Sequence, residues 1–177
     1  MSALGVKMLE GAEAKGMILR WGDFEGAEMP WSSFQKADLT GANLSHTNLS
    51  ASTLRDANLL DADLQKANLK NASLQGANLT HVNLQGADLT SASLQDANLS
   101  GTDLQKAKLS SANLAGANLS GADLRGVDLC GADLRGVKNI TVKQLTQAIV
   151  DMRTRLPEGI TFKQIEKYKA DVISESL

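Results

Sequence analysis

The chain has 177 residues and a formal net charge of −2; 42% of its residues are apolar, and only 3% of all residues are aromatic. The near-neutral charge argues against electrostatic binding of nucleic acid, which requires a basic face. The scarcity of aromatic residues argues against an ordinary globular core, so we expect a narrow core filled by Leu and Ala.

The first residues, MSALGVKMLEGAEAKG, carry charges where a signal peptide requires an apolar stretch. No apolar run approaches the roughly 18 residues that a membrane-spanning helix needs. The single cysteine, Cys130, excludes an internal disulfide framework. These features predict a cytoplasmic protein that does not bind membranes, in which residues 1–8 form a lead-in or cap.

A five-residue repeat follows. From Phe24 to Leu134 every fifth residue is Leu, Phe or Met, and the phase extends upstream through Leu19, Ala14 and Leu9. Two places before each of these central residues lies a small residue, usually Ala. A helix would rotate successive Leu residues around its surface, and a strand would send alternate ones to opposite faces. The pattern therefore predicts a chain that bends once per unit and keeps both Leu and Ala inside.

A twenty-residue period is superimposed on the repeat. The residue before each central position is mostly Asp or Asn, but it is Ser or Thr at Ser33, Thr53, Ser73 and Ser93. Four right-angle corners would close one coil in twenty residues. The sequence thus predicts an all-β solenoid, a four-sided parallel β-helix of about six coils over residues 9–137, with coils about 4.8 Å apart.

The corners fall two residues after each central position, where Gly is frequent. A type II turn requires a positive φ at its third residue, which Gly adopts most readily. We therefore predict type II corners in the C-terminal coils, and less regular corners where Lys36, Ala51, Lys66 or Ser91 takes that place.

The run of A(D/N)LXX units, such as Ala37-Asp38-Leu39 and Ala77-Asn78-Leu79, resembles the pentapeptide-repeat family. A hexapeptide-repeat helix would need a period of six. The resemblance implies a right-handed quadrilateral β-helix, of the kind that many short cyanobacterial proteins share. It also brings an alternative function, because some quinolone-resistance members of the family mimic duplex DNA and modulate DNA gyrase.

The interior is predicted to be a column of central residues, in which replacing Leu84 by Lys would unfold the middle of the rod. One side of this core column comprises Phe24, Leu44, Leu64, Leu84, Leu104 and Leu124. The ends of a solenoid need caps. The aromatic residues cluster near the ends and are expected to serve there; they are Trp21, Phe24, Trp31, Phe34, Phe162 and Tyr168.

Residues 138–177 are predicted to form a C-terminal cap of two short helices. Thr141 is expected to cap a helix of about ten residues that reaches Met152. After a break at Leu156-Pro157-Glu158-Gly159, Thr161 is expected to cap a second helix. The apolar residues expected on these helices are Val142, Leu145, Ala148, Ile149, Phe162, Ile165, Tyr168, Val172 and Ile173. A homodimer interface through this solenoid end is the alternative use of the segment.

No catalytic, cofactor or metal site is predicted. His46 and His81 fall at corners on different edges of the rod, and Cys130 is expected to be an incidental exposed thiol. Glycines occur at corners and not in a phosphate-binding motif. The chain is therefore interpreted as a non-enzymatic interaction or scaffold module that binds an unidentified protein partner.

One side of the predicted rod is more acidic than the others. Its carboxylates are flanked by Lys66, Lys106 and Arg125, so a solvated surface of mixed charge remains the alternative to a binding surface. We name this candidate surface the docking side; it comprises Asp23, Glu25, Asp63, Asp103 and Asp123.

Overall fold

The structure, a computed structural model, describes the backbone of residues 10–175 and the side chains of residues 10–171; the predicted lead-in and Leu9 lie outside this part. The backbone repeats one extended residue and one turn every five residues. Parallel bridges join residues twenty apart, from Glu13 with Ser33 to Asn118 with Lys138. One coil therefore contains four bridges and four turns, and the predicted twenty-residue period is confirmed.

Hydrogen bonds between coils hold each unit in register. The N–H of Leu64 donates to the carbonyl of Asn83 in the next coil at 2.8 Å, and the N–H of Asn83 donates back to Ala62 at 3.1 Å. The turn closes through a bond of 3.0 Å from the N–H of Ala67 to the carbonyl of Leu64. Because the same pattern recurs along the rod, the backbone N–H and C=O groups are hydrogen-bonded between coils without long strands.

The core is a thin column along the axis. From Met29 to Leu134 every central residue is at most 2% exposed, and this includes the five leucines of the core column. Phe24 and Leu19 are only partly buried, since they lie in the first coils at the end of the rod. Apolar burial is thus continuous and supplies the main stabilisation of the solenoid.

Several hydroxyl side chains replace Ala inside the column. Thr47 donates to the carbonyl of Leu44 at 2.7 Å, and Thr102 donates to the carbonyl of Leu79 in the preceding coil at 2.8 Å. Both are almost completely buried. These bonds make the polar substitutions compatible with the dry interior, because a buried hydroxyl without a partner would be destabilising.

The corners are more uniform than the sequence predicts. Lys36, Ala51, Lys66 and Ser91 have φ values of 56–58°, close to the 64–73° of the corner glycines in the repeat. Their N–H groups make the same bonds to the next coil. The expectation of irregular corners at these residues is therefore wrong, because the bonds between coils outweigh the modest cost of a left-handed conformation.

The C-terminal segment begins with a helix shorter than predicted. Helix α1 spans Val142–Gln147 and is capped by Thr141, whose hydroxyl accepts from the N–H of Gln144 at 3.1 Å. Ile149 leaves the helix and forms a parallel bridge with Asp128. Met152 is 84% exposed in the following turn. Helix α1 cannot continue to Met152, because the backbone at Ile149 returns to the ladder of the solenoid.

The last coil is covered by this segment and a second helix. Arg155 forms a bridge with Asp133, and the hydroxyl of Thr154 donates to the carbonyl of Leu129 at 2.9 Å, as an inward hydroxyl does in a regular coil. Helix α2 spans Phe162–Glu175, and its Ile165 is 2% exposed against the core. The end of the leucine column is thereby removed from water.

Candidate partner-binding surface

The docking side is one continuous column of the solenoid. Bridges connect its members through intervening asparagines in the order Asp23, Asn43, Asp63, Asn83, Asp103 and Asp123. Glu25 lies beside this column, two residues beyond Asp23. Each aspartate accepts a hydrogen bond from the backbone N–H two residues later, for example from Gln65 to Asp63 at 2.9 Å. The local turn therefore fixes each carboxylate on the flat side.

The carboxylates of the docking side differ in their electrostatic surroundings. Asp123 accepts from the guanidinium of Arg125, with 2.9 Å between Nε and Oδ1, and this bond lowers the pKa of Asp123. Within residues 10–171, no ion pair neutralises Asp23, Glu25, Asp63 or Asp103. The N-terminal part of the side therefore presents unpaired negative charge, whereas its C-terminal end is internally compensated.

Trp21 stands at the edge of the docking side, two residues before Asp23. It occupies a corner with φ of 57°, an uncommon conformation for a bulky residue, and it is 72% exposed. Its ring covers the corner glycine of the next coil, Gly41, where any added Cβ would overlap it. The expectation that Trp21 and Trp31 cap the column is wrong, because both are exposed corner residues.

The remaining reactive side chains are dispersed. His46 and His81 occupy exposed corners in separate columns of the rod. Cys130 is partly buried, and the carboxylate of Asp128 raises the pKa of its thiol to about 11, which opposes thiolate formation. Within the described residues, no group of three or more His, Cys, Asp or Glu side chains is arranged to hold a metal ion.

Comparison with known proteins identifies the class. The family model described as pentapeptide repeats (8 copies) matches this chain over residues 32–71, 67–105 and 97–136. Together these ranges cover more than half of the chain. The protein therefore belongs to the pentapeptide-repeat family and is a right-handed β-helix solenoid. No curated protein matches the chain significantly. None of the described helices has the length and apolar character required to span a membrane.

Solved structures of the same class are similar to this chain. A pentapeptide repeat protein from the thylakoid lumen of Arabidopsis thaliana is 34% identical, with 51% of this chain and 67% of that one covered and a TM-score of 0.46. HetL of the cyanobacterium Nostoc, involved in the regulation of heterocyst differentiation, is 28% identical over 86% and 75% of the chains (TM-score 0.38). QnrB1, a plasmid-mediated fluoroquinolone resistance protein, is 21% identical over 96% and 94% (TM-score 0.35).

Proposed function

We propose that this protein is a non-enzymatic interaction module, a rigid rod of about six coils that binds a basic segment of a partner protein on its docking side. In this proposal residues 1–8 lead into the rod, residues 9–137 form it, and residues 138–177 close its end. The family match indicates no enzymatic family. The observation that carries the proposal is the unpaired negative charge of Asp23, Glu25 and Asp63 beside the exposed Trp21.

A cationic side chain suits this surface for two reasons. Asp23, Glu25 and Asp63 supply charge that forms no direct ion pair within residues 10–171. Trp21 supplies an aromatic face on which a guanidinium or ammonium group stacks favourably, by about 0.5–1 kcal/mol at an exposed site. Tryptophan is also enriched among the residues that dominate protein interfaces. Together these groups favour a partner segment rich in Arg and Lys.

The test is titration with a fluorescently labelled peptide of alternating Arg and Gly, monitored by anisotropy and by the fluorescence of Trp21 in a Trp31→Phe background. Asp63→Asn should weaken binding by about twofold to fivefold, because an exposed ion pair contributes up to about 1 kcal/mol. Asn already occupies the equivalent positions 43 and 83, so the coil is preserved.

Asp123→Asn is the matched control. It lies in the same column, but its carboxylate already binds Arg125. We expect it to leave the affinity unchanged or to lower it only slightly, because the freed guanidinium of Arg125 repels the basic peptide only locally. Equal weakening by Asp63→Asn and Asp123→Asn would contradict the proposed site, since it would indicate a diffuse response to net charge.

Modulation of DNA gyrase remains the alternative function. A mimic of duplex DNA requires strong, regular negative charge, whereas the docking side alternates Asp with Asn and ends in the pair of Asp123 with Arg125. A supercoiling assay with purified gyrase separates the two functions. Inhibition or protection of gyrase at micromolar protein would favour the alternative over a partner with a basic segment.

A further inference from the structure

A second surface feature lies on a different edge of the rod, away from the docking side. It is an open notch with a volume of about 520 Å³. The residues that line it come from three successive coils and are Arg55, Asp56, Gln75, Gly76, Gln95 and Asp96. Nothing in the leucine column or in the C-terminal segment requires this combination of side chains at the surface.

The notch exists because a glycine separates two aspartates in one column of corners. Asp56, Gly76 and Asp96 all have a positive φ and lie one above another, twenty residues apart. The Oδ1 atom of Asp56 lies 2.6 Å from the point that a Cβ on Gly76 would occupy. The backbones of Asp56 and Asp96 are two coils apart, about 9.6 Å at the usual spacing of strands, and Gly76 places no side chain of its own between them.

Arg55 distinguishes the notch from the rest of the charged surface. The structure describes six arginines, and five of them form ion pairs with aspartates: Arg20, Arg125, Arg135, Arg153 and Arg155. Within the described residues, no ion pair involves Arg55, Asp56 or Asp96. The notch therefore presents one guanidinium and two carboxylates whose charge is not compensated by a direct contact.

Two of the residues that line the notch, Gln75 and Gln95, have amide oxygens without donors. On the docking side the amide of Gln65 donates to Oε1 of Gln85 at 3.0 Å, which forms a ladder between coils. The Oε1 atoms of Gln75 and Gln95 are buried and have no hydrogen-bond partner. A donor from a bound molecule can satisfy them when the amide turns towards the notch, a rotation that the last side-chain bond permits.

We propose that this notch binds an extended peptide segment that carries an acidic and a basic side chain two residues apart. The acidic group pairs with Arg55, because the planar guanidinium of arginine binds a carboxylate through two parallel hydrogen bonds. The basic group binds at Asp96 and donates to the amide oxygens. In an extended segment, residues two apart point their side chains to the same face, about 7 Å from each other. Glu and Lys side chains are long enough to reach from these positions to Arg55 and Asp96.

The chemistry disfavours a nucleic acid in the same place. A phosphate drawn to Arg55 would approach the carboxylates of Asp56 and Asp96, which repel it. The notch therefore selects a ligand of mixed charge, in contrast to the basic segment proposed for the docking side. This inference shares with the proposed function only the general role of binding proteins, and the two sites can be tested separately.

The experiment is an NMR titration of the whole protein with a short peptide of serine and threonine that contains one Glu and one Lys two positions apart. The side-chain N–H signals of Arg55, Gln75 and Gln95 should shift with a dissociation constant of about 1 mM or below. Arg55→Gln should weaken binding by about threefold to fivefold, as expected for an exposed ion pair. Peptides with two Glu or two Lys residues should bind more weakly than the mixed peptide.

Gly76→Asn is the blocking variant, and Gly86→Asn is its control. Both glycines are corners, with φ of 67° and 68°, and Asn already adopts this conformation at Asn71. Gly76→Asn fills the notch and displaces the carboxylate of Asp56, so it should abolish the shifts, whereas Gly86→Asn lies in another column, meets only Lys66 at 3.5 Å and should leave them unchanged. A free Glu-Ser-Lys tripeptide that binds as tightly as the longer peptide would indicate a small-molecule site and overturn the proposal of a peptide segment.

The absence of shifts at several millimolar peptide, or retention of binding by Gly76→Asn, would also overturn the proposal. The Arg-Gly peptide of the docking-side test is included as a separate arm. If the mixed peptide shifts the notch signals while the Arg-Gly peptide does not bind, the proposed function fails and the notch stands. The reverse result removes the notch alone.

Discussion

Leu84 and Gln85 are neighbours in sequence but differ completely in their contribution to the rod. Leu84 has no exposed surface and packs in the middle of the core column. Gln85 lies on the outside, where its amide oxygen accepts from Gln65. Leu84→Ala should lower the free energy of unfolding by about 2–5 kcal/mol, because a closely packed column collapses little around the cavity.

Gln85→Ala is the control for this prediction and should change the free energy of unfolding by about 0.5 kcal/mol or less. Both variants are measured by urea unfolding followed by circular dichroism. Comparable effects of the two substitutions would contradict the assignment of stability to the interior column, and would indicate that the ladders of the surface contribute equally.

At the scale of the corner, the side chain of one coil determines which side chain fits at the stacked corner of the next coil. Gly41 and Gly121 occupy the same column of corners with φ of 64° and 66°. The ring of Trp21 covers Gly41, whereas no atom lies within 4 Å of the Cβ position at Gly121. The two glycines therefore have the same backbone requirement but different steric surroundings.

Gly41→Ala should be more destabilising than Gly121→Ala. Both variants incur the cost of alanine in the left-handed region, about 1–2 kcal/mol. Gly41→Ala must also displace the indole of Trp21, which adds about 1–3 kcal/mol of overpacking. Thermal unfolding of the two variants measures the difference. A double variant, Trp21→Ala with Gly41→Ala, should bring the cost back to that of Gly121→Ala; failure to do so would refute the steric explanation.

The repeat could be predicted from the sequence because the narrow interior restricts the size of two residues in each unit. These are the central residue and the small residue two places before it. The column of Ser33, Thr53, Ser73 and Ser93 similarly revealed the number of sides. The conformations of Lys36 and Ala51 could not be predicted, because the intrinsic preference of one corner residue is weaker than the bonds that join whole coils. Sequence propensity therefore describes the interior better than it describes the corners.

The docking side was only partly predictable. The stacking of its aspartates in one column follows from the twenty-residue period. The difference between its unpaired N-terminal carboxylates and its compensated C-terminal end depends on the pair of Asp123 with Arg125. A signal for this pair was present, since an Asp followed two residues later by Arg also occurs at Asp133 and Arg135 and forms the same contact. The exposed position of Trp21 does not follow from its location near an end of the rod, because both corner and cap residues occur there. The end of α1 could not be predicted, because the return of Ile149 to the ladder is a tertiary effect.

At the scale of the whole molecule, the C-terminal end depends on charge more than the middle coils do. Asp151 accepts from the N–H of Gly131 at 2.8 Å and from Nε of Arg153 at 2.7 Å. Burial acts to raise the pKa of Asp151, but these hydrogen bonds outweigh it and lower the pKa to about 2. A hydrogen bond from Arg135, assisted by Arg155, lowers the pKa of Asp133 to about 2.

Both carboxylates therefore join the C-terminal segment to the last coils in their ionised form. An aspartate in the unfolded chain has a pKa of about 3.9. Because the pKa in the folded state is lower, each group stabilises the fold above about pH 4, and this contribution is lost as the pH falls towards 2. In the middle coils, neutral ladders that do not titrate in this range, such as the bond of 2.9 Å from Asn78 to Asn58, hold the coils together beside the ion pairs of Asp88 with Lys70 and Lys108.

Acidification from pH 5 to pH 2 should thus release residues 145–165 before the middle coils open. The backbone amide signals of this segment should broaden or move in NMR spectra while those of residues 75–95 persist. Asp151→Asn retains an acceptor for Gly131 but removes the charge that binds Arg153, so it should weaken the closure at pH 7 and reduce its further loss in acid. Simultaneous loss of both sets of signals would show instead that the solenoid and its closure unfold as one cooperative unit.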